Sequence, residues 1–152
     1  MEYVNNGGTL IVQYNVVTRR LAPGESDPLA RIGPYPLTIG RDRVSVEEAP
    51  MDFLQPDHPV LNSPNRITAR DFDGWAQERG LYFAEKWDER YQPLWESHDP
   101  GEDSLRGATL YARFGQGVYI FTGLSWFRQL PEGVPGAYRI FANFLSAGKA
   151  AN

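Results

Sequence analysis

The clearest pattern of hydrophobic and polar positions lies between residues 107 and 148. Two short runs rich in β-branched and aromatic residues, 108–114 and 118–123, flank Gly115-Gln116-Gly117. Glycine tolerates the positive φ angles that tight turns require. The pattern therefore predicts a β-hairpin.

After the hairpin, apolar residues recur at spacings of three and four, which is typical of one face of an α-helix. They are Ala137, Ile140, Phe141, Phe144 and Leu145. Pro135 suits the first turn of a helix, where its missing N–H costs no hydrogen bond, and Gly148 suits a C-terminal cap. We expect a helix that begins at Pro135 and ends at Gly148.

The first residues resemble the last turn of a helix with a glycine exit at Gly7-Gly8. Residues 9–14 are then almost continuously apolar, which favours a strand covered on both faces, as in parallel sheets. A start at the end of a helix suggests that an earlier part of the fold is supplied elsewhere. From the chain length we expect residues 1–152 to form a single domain, lacking the N-terminal part of its fold.

The middle of the chain gives weaker signals. Residues 18–36 are rich in Pro and Gly and are predicted to be a loop excursion. Thr68 is a good N-cap for a helix ending at Gly80, and residues 85–90 are polar and turn-like. Short strands are predicted at 37–40, 44–47, 81–84 and 91–97, the last near a sheet edge or bulge because it contains Pro93.

Composition excludes several classes of function. The net charge of −4, without a run of like charges, argues against a nucleic-acid partner, which requires clustered Lys and Arg. The absence of cysteine excludes disulfides, thiolate metal sites and a cysteine nucleophile. No apolar run approaches the ~20 residues needed to cross a bilayer, and no signal peptide is evident. These features predict a soluble chain without a membrane partner and leave its compartment open.

Several strings spread over residues 2–149 are long and idiosyncratic. They include Gly33-Pro34-Tyr35-Pro36, Pro56-Asp57-His58-Pro59-Val60-Leu61-Asn62, Asp71-Phe72-Asp73-Gly74-Trp75-Ala76-Gln77 and Tyr119-Ile120-Phe121-Thr122-Gly123-Leu124-Ser125. Together they resemble the C-terminal region of large PIG-L (LmbE-like) deacetylases. The resemblance implies part of a class I glutamine amidotransferase-like domain. That fold is flavodoxin-like α/β, with a mixed or mostly parallel sheet, flanking helices, and a C-terminal hairpin followed by a helix.

Two departures limit what the resemblance implies about activity. In that family, zinc-dependent deacetylation belongs to a separate N-terminal domain with a His-Pro-Asp-Asp motif, and the nearest string here, Asp57-His58-Pro59-Val60, lacks the following carboxylates. The amidotransferase nucleophile is a cysteine, which this chain does not contain. We therefore expect neither activity, no cofactor and no catalytic residue in this chain.

Residue types that could carry chemistry are few. A zinc site at His58 or His98 would require nearby carboxylates, and surface or capping roles are the more usual ones for histidine. Ser125 follows a predicted strand, where α/β sheets place ligands, but Phe127 stands where a serine-hydrolase elbow has its second glycine. Carboxylate pairs such as Asp71 with Asp73 could serve glycoside cleavage only if they faced each other across a cleft.

Aromatic residues are the unusual feature of the sequence, with four tryptophans and eight tyrosines. A tryptophan at a segment end can stack on a sugar face while its N–H stays in water, although a core position is the more common one. The candidates for a ligand contact are Trp126 with its neighbours Ser125 and Arg128, and Trp75 with Glu78 and Arg79.

These observations favour a non-catalytic accessory domain of a PIG-L-type deacetylase, which packs on the catalytic domain or helps to hold a glycan. One alternative is a free-standing, self-associating carbohydrate-binding or assembly module, because uncovered strand edges favour association. Another alternative is a small hydrolase that uses Ser125 or a carboxylate pair.

Overall fold

A mixed four-stranded sheet lies at the centre of this computed structural model, which describes residues 1–16 and 32–150. The helices are α1 (Glu2–Asn5), α2 (Pro59–Asn62), α3 (Trp126–Gln129), α4 (Pro135–Leu145) and α5 (Ala147–Ala150), with a 3-10 turn at Ala69–Phe72. The strands are β1 (Thr9–Gln13), β2 (Leu37–Ile39), β3 (Arg43–Val44), β4 (Asp52–Phe53), β5 (Gly80–Leu81), β6 (Ala84–Trp87), β7 (Gln92–Pro93), β8 (Trp95–Glu96), β9 (Thr109–Phe114) and β10 (Gly117–Thr122).

The strand order of this sheet is β1-β10-β9-β7. β9 and β10 pair antiparallel across the glycine turn, which confirms the predicted hairpin. β1 runs parallel to β10, from Thr9 opposite Val118 to Gln13 opposite Thr122. β7 lies at the other end of the order and contains Pro93, as expected for a residue that cannot donate to a ladder. The fold is therefore mixed α/β.

Smaller antiparallel ladders pair β2 with β6, β3 with β5 and β4 with β8. The first of these corrects part of the prediction of a turn at residues 85–90, because residues 84–87 form β6, whereas residues 89–90 do form a turn. Glu85 and Lys86 are polar because these strand positions are exposed. Of the predicted loop excursion 18–36, residues 18–31 lie outside the described residues, and residues 32–35 form bends.

Both faces of the central sheet are covered. On one face Ile11 and Ile120 share a core with Ile140 and Phe144 of α4. On the other face Leu10, Val12, Tyr119 and Phe121 share a core with Leu37 and Ile39 of β2. This arrangement confirms the expectation, drawn from the apolar run at residues 9–14, of a strand covered on both faces, although the β1 side chains are only partly buried.

The C-terminal helix begins as predicted but ends earlier. Pro135 occupies the first turn of α4, and Ala137, Ile140 and Phe144 are buried. The cap is Ser146, with φ −95° and ψ 0°, rather than Gly148. Because Ser146 stays close to helical geometry, the chain continues into α5, which contains Gly148. The prediction of a glycine cap was wrong.

The helix predicted between Thr68 and Gly80 is only one turn long. The start is as expected, because the Thr68 backbone N–H donates to Asp71 Oδ2 at 2.8 Å. Positive φ angles at Gly74 (69°) and Gln77 (71°) then turn the chain, and Gly80 lies in β5. Within the described ranges no helix has the length and apolar character needed to cross a membrane.

Candidate functional site

The parallel pair β1 and β10 ends at Gln13 and Thr122, and three chain segments meet beyond these ends. Tyr14 follows β1 directly, and its N–H donates to the Thr122 carbonyl at 3.0 Å. The N–H of Leu81 in β5 donates to the Gly123 carbonyl at 3.0 Å. In α/β proteins ligands bind outside the carboxyl ends of the strands, so this is the first place to look for a site.

Three aromatic rings converge there. The Tyr14 ring centroid lies 4.6 Å from that of Phe127 and 5.7 Å from that of Tyr82, with interplanar angles of 67° and 88°. These are edge-to-face contacts, the geometry that the aromatic quadrupole favours. Phe127 is 48% exposed, although it belongs to α3, whose neighbouring residues Trp126 and Gln129 are buried.

An ion pair flanks the rings. Arg128 Nε donates to Glu78 Oε1 at 2.9 Å, with most of the Glu78 side chain buried. The Arg128 guanidinium carbon lies 4.8 Å from the Phe127 ring centroid, within cation–π range. We call the set formed by Tyr14, Glu78, Tyr82, Phe127 and Arg128 the aromatic corner.

Backbone strain is concentrated in the same place. Tyr14 (φ 42°), Gln77 (φ 71°) and Tyr82 (φ 58°) are all the non-glycine residues with positive φ in the described part of the chain. Two belong to the aromatic corner and the third precedes Glu78. Residues held in this region cost about 1–3 kcal/mol each and persist where the surrounding structure enforces them, often at functional sites.

Glycines allow the segments to approach closely enough to form the corner. A Cβ on Gly80 would collide with the Gly123 carbonyl oxygen, and a Cβ on Gly123 would lie 2.8 Å from the Leu81 carbonyl oxygen. Any side chain at either position would therefore force apart the backbones that carry Glu78, Tyr82 and Phe127.

The electrostatics of the corner affect Tyr14. Burial raises the pKa of its hydroxyl above the usual value, and the negative charge of Glu78 and the neighbouring Tyr82 raise the pKa further. Arg128 opposes this change. Tyr14 therefore remains a neutral phenol at physiological pH and can both donate and accept hydrogen bonds.

Of the residues predicted from sequence, Ser125 lies beside the corner but is fully buried. Its hydroxyl donates to the Glu78 carbonyl at 2.9 Å and accepts from Gln129 Nε2 at 3.1 Å. Among the described residues its hydrogen bonds involve the Glu78 and Arg79 carbonyls and Gln129, and none involves a histidine. Ser125 joins two backbone segments and presents no surface to a substrate.

Trp126 is buried in the core, with 1% of its surface exposed. Its Nε1 donates to Thr122 Oγ1 at 3.0 Å, and its ring contacts Trp75 and Phe144. The indole is therefore satisfied inside the protein. The exposed ring next to it in sequence, Phe127, is the one that reaches the corner.

Trp75 and Arg79 lie at a separate pocket of about 330 Å³. Its lining comprises Glu47, Glu48, Phe72, Asp73, Gly74, Trp75 and Arg79. Trp75 is buried and donates from Nε1 to the Asp71 carbonyl at 3.1 Å. Glu78 and Arg79 are adjacent in sequence, but Glu78 belongs to the aromatic corner and Arg79 to this pocket.

The Arg79 guanidinium is held by carbonyl oxygens rather than by a carboxylate. Its Nη1 donates to Phe72 and its Nε to Ala49, at 2.6 and 3.0 Å. The guanidinium carbon lies 5.5 Å from the Phe72 ring centroid. Burial lowers the pKa of Arg79 to about 10, so it stays charged near neutral pH. Its contacts tie three loops together, which is a structural role.

The histidines perform local roles. His58 caps α2, where its Nδ1 accepts from the Val60 N–H at 3.2 Å, and burial lowers its pKa. His98 Nδ1 lies 3.0 Å from the Asp99 carbonyl oxygen. Within residues 1–16 and 32–150 no group of three or more histidine, aspartate or glutamate side chains could hold a metal ion.

The sequence-based candidates include Glu78 and Arg128, which the structure brings together, but not Tyr14 and Tyr82. One signal could have found Tyr14, because it is the last residue of the apolar run 9–14, at the carboxyl end of a predicted parallel strand. Comparison with family models, curated proteins and solved structures found no significant match to this chain. The fold and the corner therefore have to be interpreted from their own chemistry.

Proposed function

We propose that this chain is a non-catalytic accessory domain of a PIG-L-type deacetylase, an enzyme class that acts on N-acetylated sugars. In this proposal the domain is part of a class I amidotransferase-like, flavodoxin-like fold and packs on the catalytic domain. The sequence resemblance over residues 2–149 supports the family, and the parallel β1–β10 pair is compatible with such a fold.

The observation that carries the non-catalytic role is the burial of Ser125. A hydrolase of this architecture needs an exposed nucleophile at the carboxyl end of a strand. Here the only such hydroxyl among the proposed candidates bonds to the carbonyls of Glu78 and Arg79, at 2.9 and 3.2 Å. What the strand ends offer to solvent is aromatic surface and an ion pair, which suit binding.

Two measurements test this role. The purified chain, supplied with Zn²⁺, should release no acetate from N,N′-diacetylchitobiose and should not hydrolyse p-nitrophenyl acetate. Hydrolysis that disappears in Ser125→Ala would overturn the non-catalytic role. The genomic reading frame upstream of the Met1 codon should encode a His-Pro-Asp-Asp motif in frame, and a stop codon between the two would overturn the accessory role.

Self-association is a second candidate, favoured by the edge of β1. Among the described residues no strand pairs with the outer side of β1, and an open edge can pair with another chain. Light scattering over a range of concentrations should then reveal a dimer or larger species. A monomer at every concentration would rule out this assembly role.

A further inference from the structure

The aromatic corner contains polar groups that have no hydrogen-bond partner within the described part of the chain. Among the described residues, no hydrogen bond reaches the hydroxyls of Tyr14 or Tyr82, and Glu78 Oε2 and both Arg128 Nη atoms are also without partners. Only the Glu78 Oε1 to Arg128 Nε bond, at 2.9 Å, is made within the set. Donors and acceptors therefore surround an exposed ring.

The charge of the corner selects against charged ligands. Glu78 and Arg128 neutralise each other, so a phosphate would face the Glu78 carboxylate and an ammonium group would face Arg128. A neutral ligand avoids both repulsions. If it is also rich in hydroxyl or amide groups and apolar on one face, it can bond to the polar groups of the corner and pack on the aromatic ring. A pyranose ring has these properties.

The corner is also fixed before any ligand arrives. Glu78 is held in place by the ion pair, and Tyr14 is held between the rings of Phe127 and Tyr82. The positive φ angles of Tyr14 and Tyr82 direct these two rings in a way that relaxed backbone would not. Preorganisation reduces the entropy lost on binding.

We propose that the aromatic corner is a carbohydrate-binding site for a neutral pyranose. The sugar packs against the exposed part of the Phe127 ring, and its hydroxyl or amide groups bond to Glu78, Arg128 and the two tyrosine hydroxyls. This inference rests on the proposed accessory role and specifies the ligand class of the domain.

Saturation-transfer NMR with the purified chain tests the site directly, using N,N′-diacetylchitobiose and cellobiose as probes. Binding of either disaccharide to the wild type is expected. Phe127→Ala should weaken binding about tenfold, because it removes the stacking ring. The matched control is Tyr138→Ala, which removes an aromatic ring of similar exposure, 53% against 48%, from α4 and should leave binding within about twofold.

A second variant covers the polar half of the site. Glu78→Gln keeps the size of the side chain but removes its charge, and should also weaken binding about tenfold. Thermal unfolding of each variant checks that the fold is retained. Absence of binding to both disaccharides, or equal binding by wild type, Phe127→Ala and Glu78→Gln, would overturn the carbohydrate site.

This outcome is separable from that of the accessory role. If neither disaccharide binds, an in-frame His-Pro-Asp-Asp motif would still support the accessory role. A closed upstream frame together with sugar binding would remove the accessory role and keep the site, as expected for a free-standing binding module.

Discussion

Trp126 and Phe127 are neighbours in sequence, yet they belong to two different regions of the molecule. Trp126 is 1% exposed and packs among Trp75 and Phe144, with its only polar atom bonded to Thr122. Phe127 is 48% exposed and contacts Tyr14 in the aromatic corner. The indole of Trp126 finds its partner inside the core, whereas several polar groups of the corner have none among the described residues.

The difference shows that aromatic content alone does not identify a binding surface. A large ring in the core contributes burial, and its polar tip needs one internal partner. A ring at a site needs an uncovered face and unpaired polar neighbours. Substitutions in the two regions should therefore affect different measurements, stability in the first and binding in the second.

Trp126→Ala should have the largest effect on stability. Truncating a fully buried tryptophan leaves a cavity and removes an internal hydrogen bond, so we expect a loss of about 3–5 kcal/mol in the free energy of unfolding, measured by urea denaturation. Phe127→Ala serves as the adjacent control, with an expected loss of about 1 kcal/mol or less because its ring is half exposed. Equal losses would abolish the distinction between the two regions.

The carboxylates of Asp99 and Glu78 differ in how many hydrogen bonds they accept. Asp99 accepts bonds from the Ser45 N–H, the Ser45 hydroxyl and the Val46 N–H at 2.6–3.0 Å. Burial raises the pKa of Asp99, but these hydrogen bonds outweigh burial and the net pKa is lowered. The Glu78 carboxylate, by contrast, accepts one bond from the described residues, from Arg128 Nε. Asp99→Asn should therefore destabilise the protein by about 1.5–3 kcal/mol at pH 7.

The pH dependence follows from the sign of this change. A lowered pKa stabilises the fold above the unfolded value, near 4, and that contribution is lost as pH falls through the folded value. The stability difference between wild type and Asp99→Asn, followed by urea denaturation from pH 7 to pH 3, should therefore shrink. A difference that does not change with pH would contradict the role given to the Asp99 charge.

Ser125→Ala should cost about 1–2 kcal/mol, because Gln129 Nε2 and the Glu78 carbonyl lose a buried partner. Disaccharide binding should persist, since Ser125 has no exposed surface. The exposed Ser104→Ala is the control, with no expected change in the denaturation midpoint. If Ser125→Ala has the stability of the wild type, the Ser125 hydroxyl does not stabilise the fold.

We expect the smallest effect from relieving backbone strain at Gln77, next to the aromatic corner. Gln77 is exposed and has φ 71°, a conformation that glycine adopts without steric cost. Glycine relieves this strain but increases the entropy of the unfolded chain, and we expect the relief to be slightly larger. Gln77→Gly should therefore increase the free energy of unfolding by about 0.5 kcal/mol and raise the thermal midpoint slightly. The same change at Gln92, a strand residue of β7, should lower stability. A loss at both positions would argue against strain at Gln77.

The elements that sequence predicted well are those specified by local pattern. The hairpin follows from the glycine turn between two β-rich runs, and α4 follows from apolar spacing after Pro135. The prediction of a cap at Gly148 was wrong because glycine caps a helix only where the chain leaves helical geometry. At Ser146 the chain does not leave it.

The candidate site was less accessible to prediction, because it is assembled from three distant segments. Nothing local reveals that Tyr14, Tyr82 and Phe127 meet, and tyrosine gives no warning that it adopts a positive φ. The sequence also does not show whether Trp75 and Trp126 are buried, because an indole suits both an apolar core and a solvent-exposed surface. Glu78 and Arg79 are adjacent in sequence, yet their side chains lie in separate environments, one at the corner and one at the pocket.

The parallel pairing of β1 with β10 also determines when this protein can fold. Thr9 must wait for Val118, so the central sheet closes only after most of the intervening chain has left the ribosome. Contacts of such long sequence separation slow folding and expose an apolar strand in the meantime. The nascent N-terminal segment is accordingly the part of this protein most in need of a chaperone during synthesis.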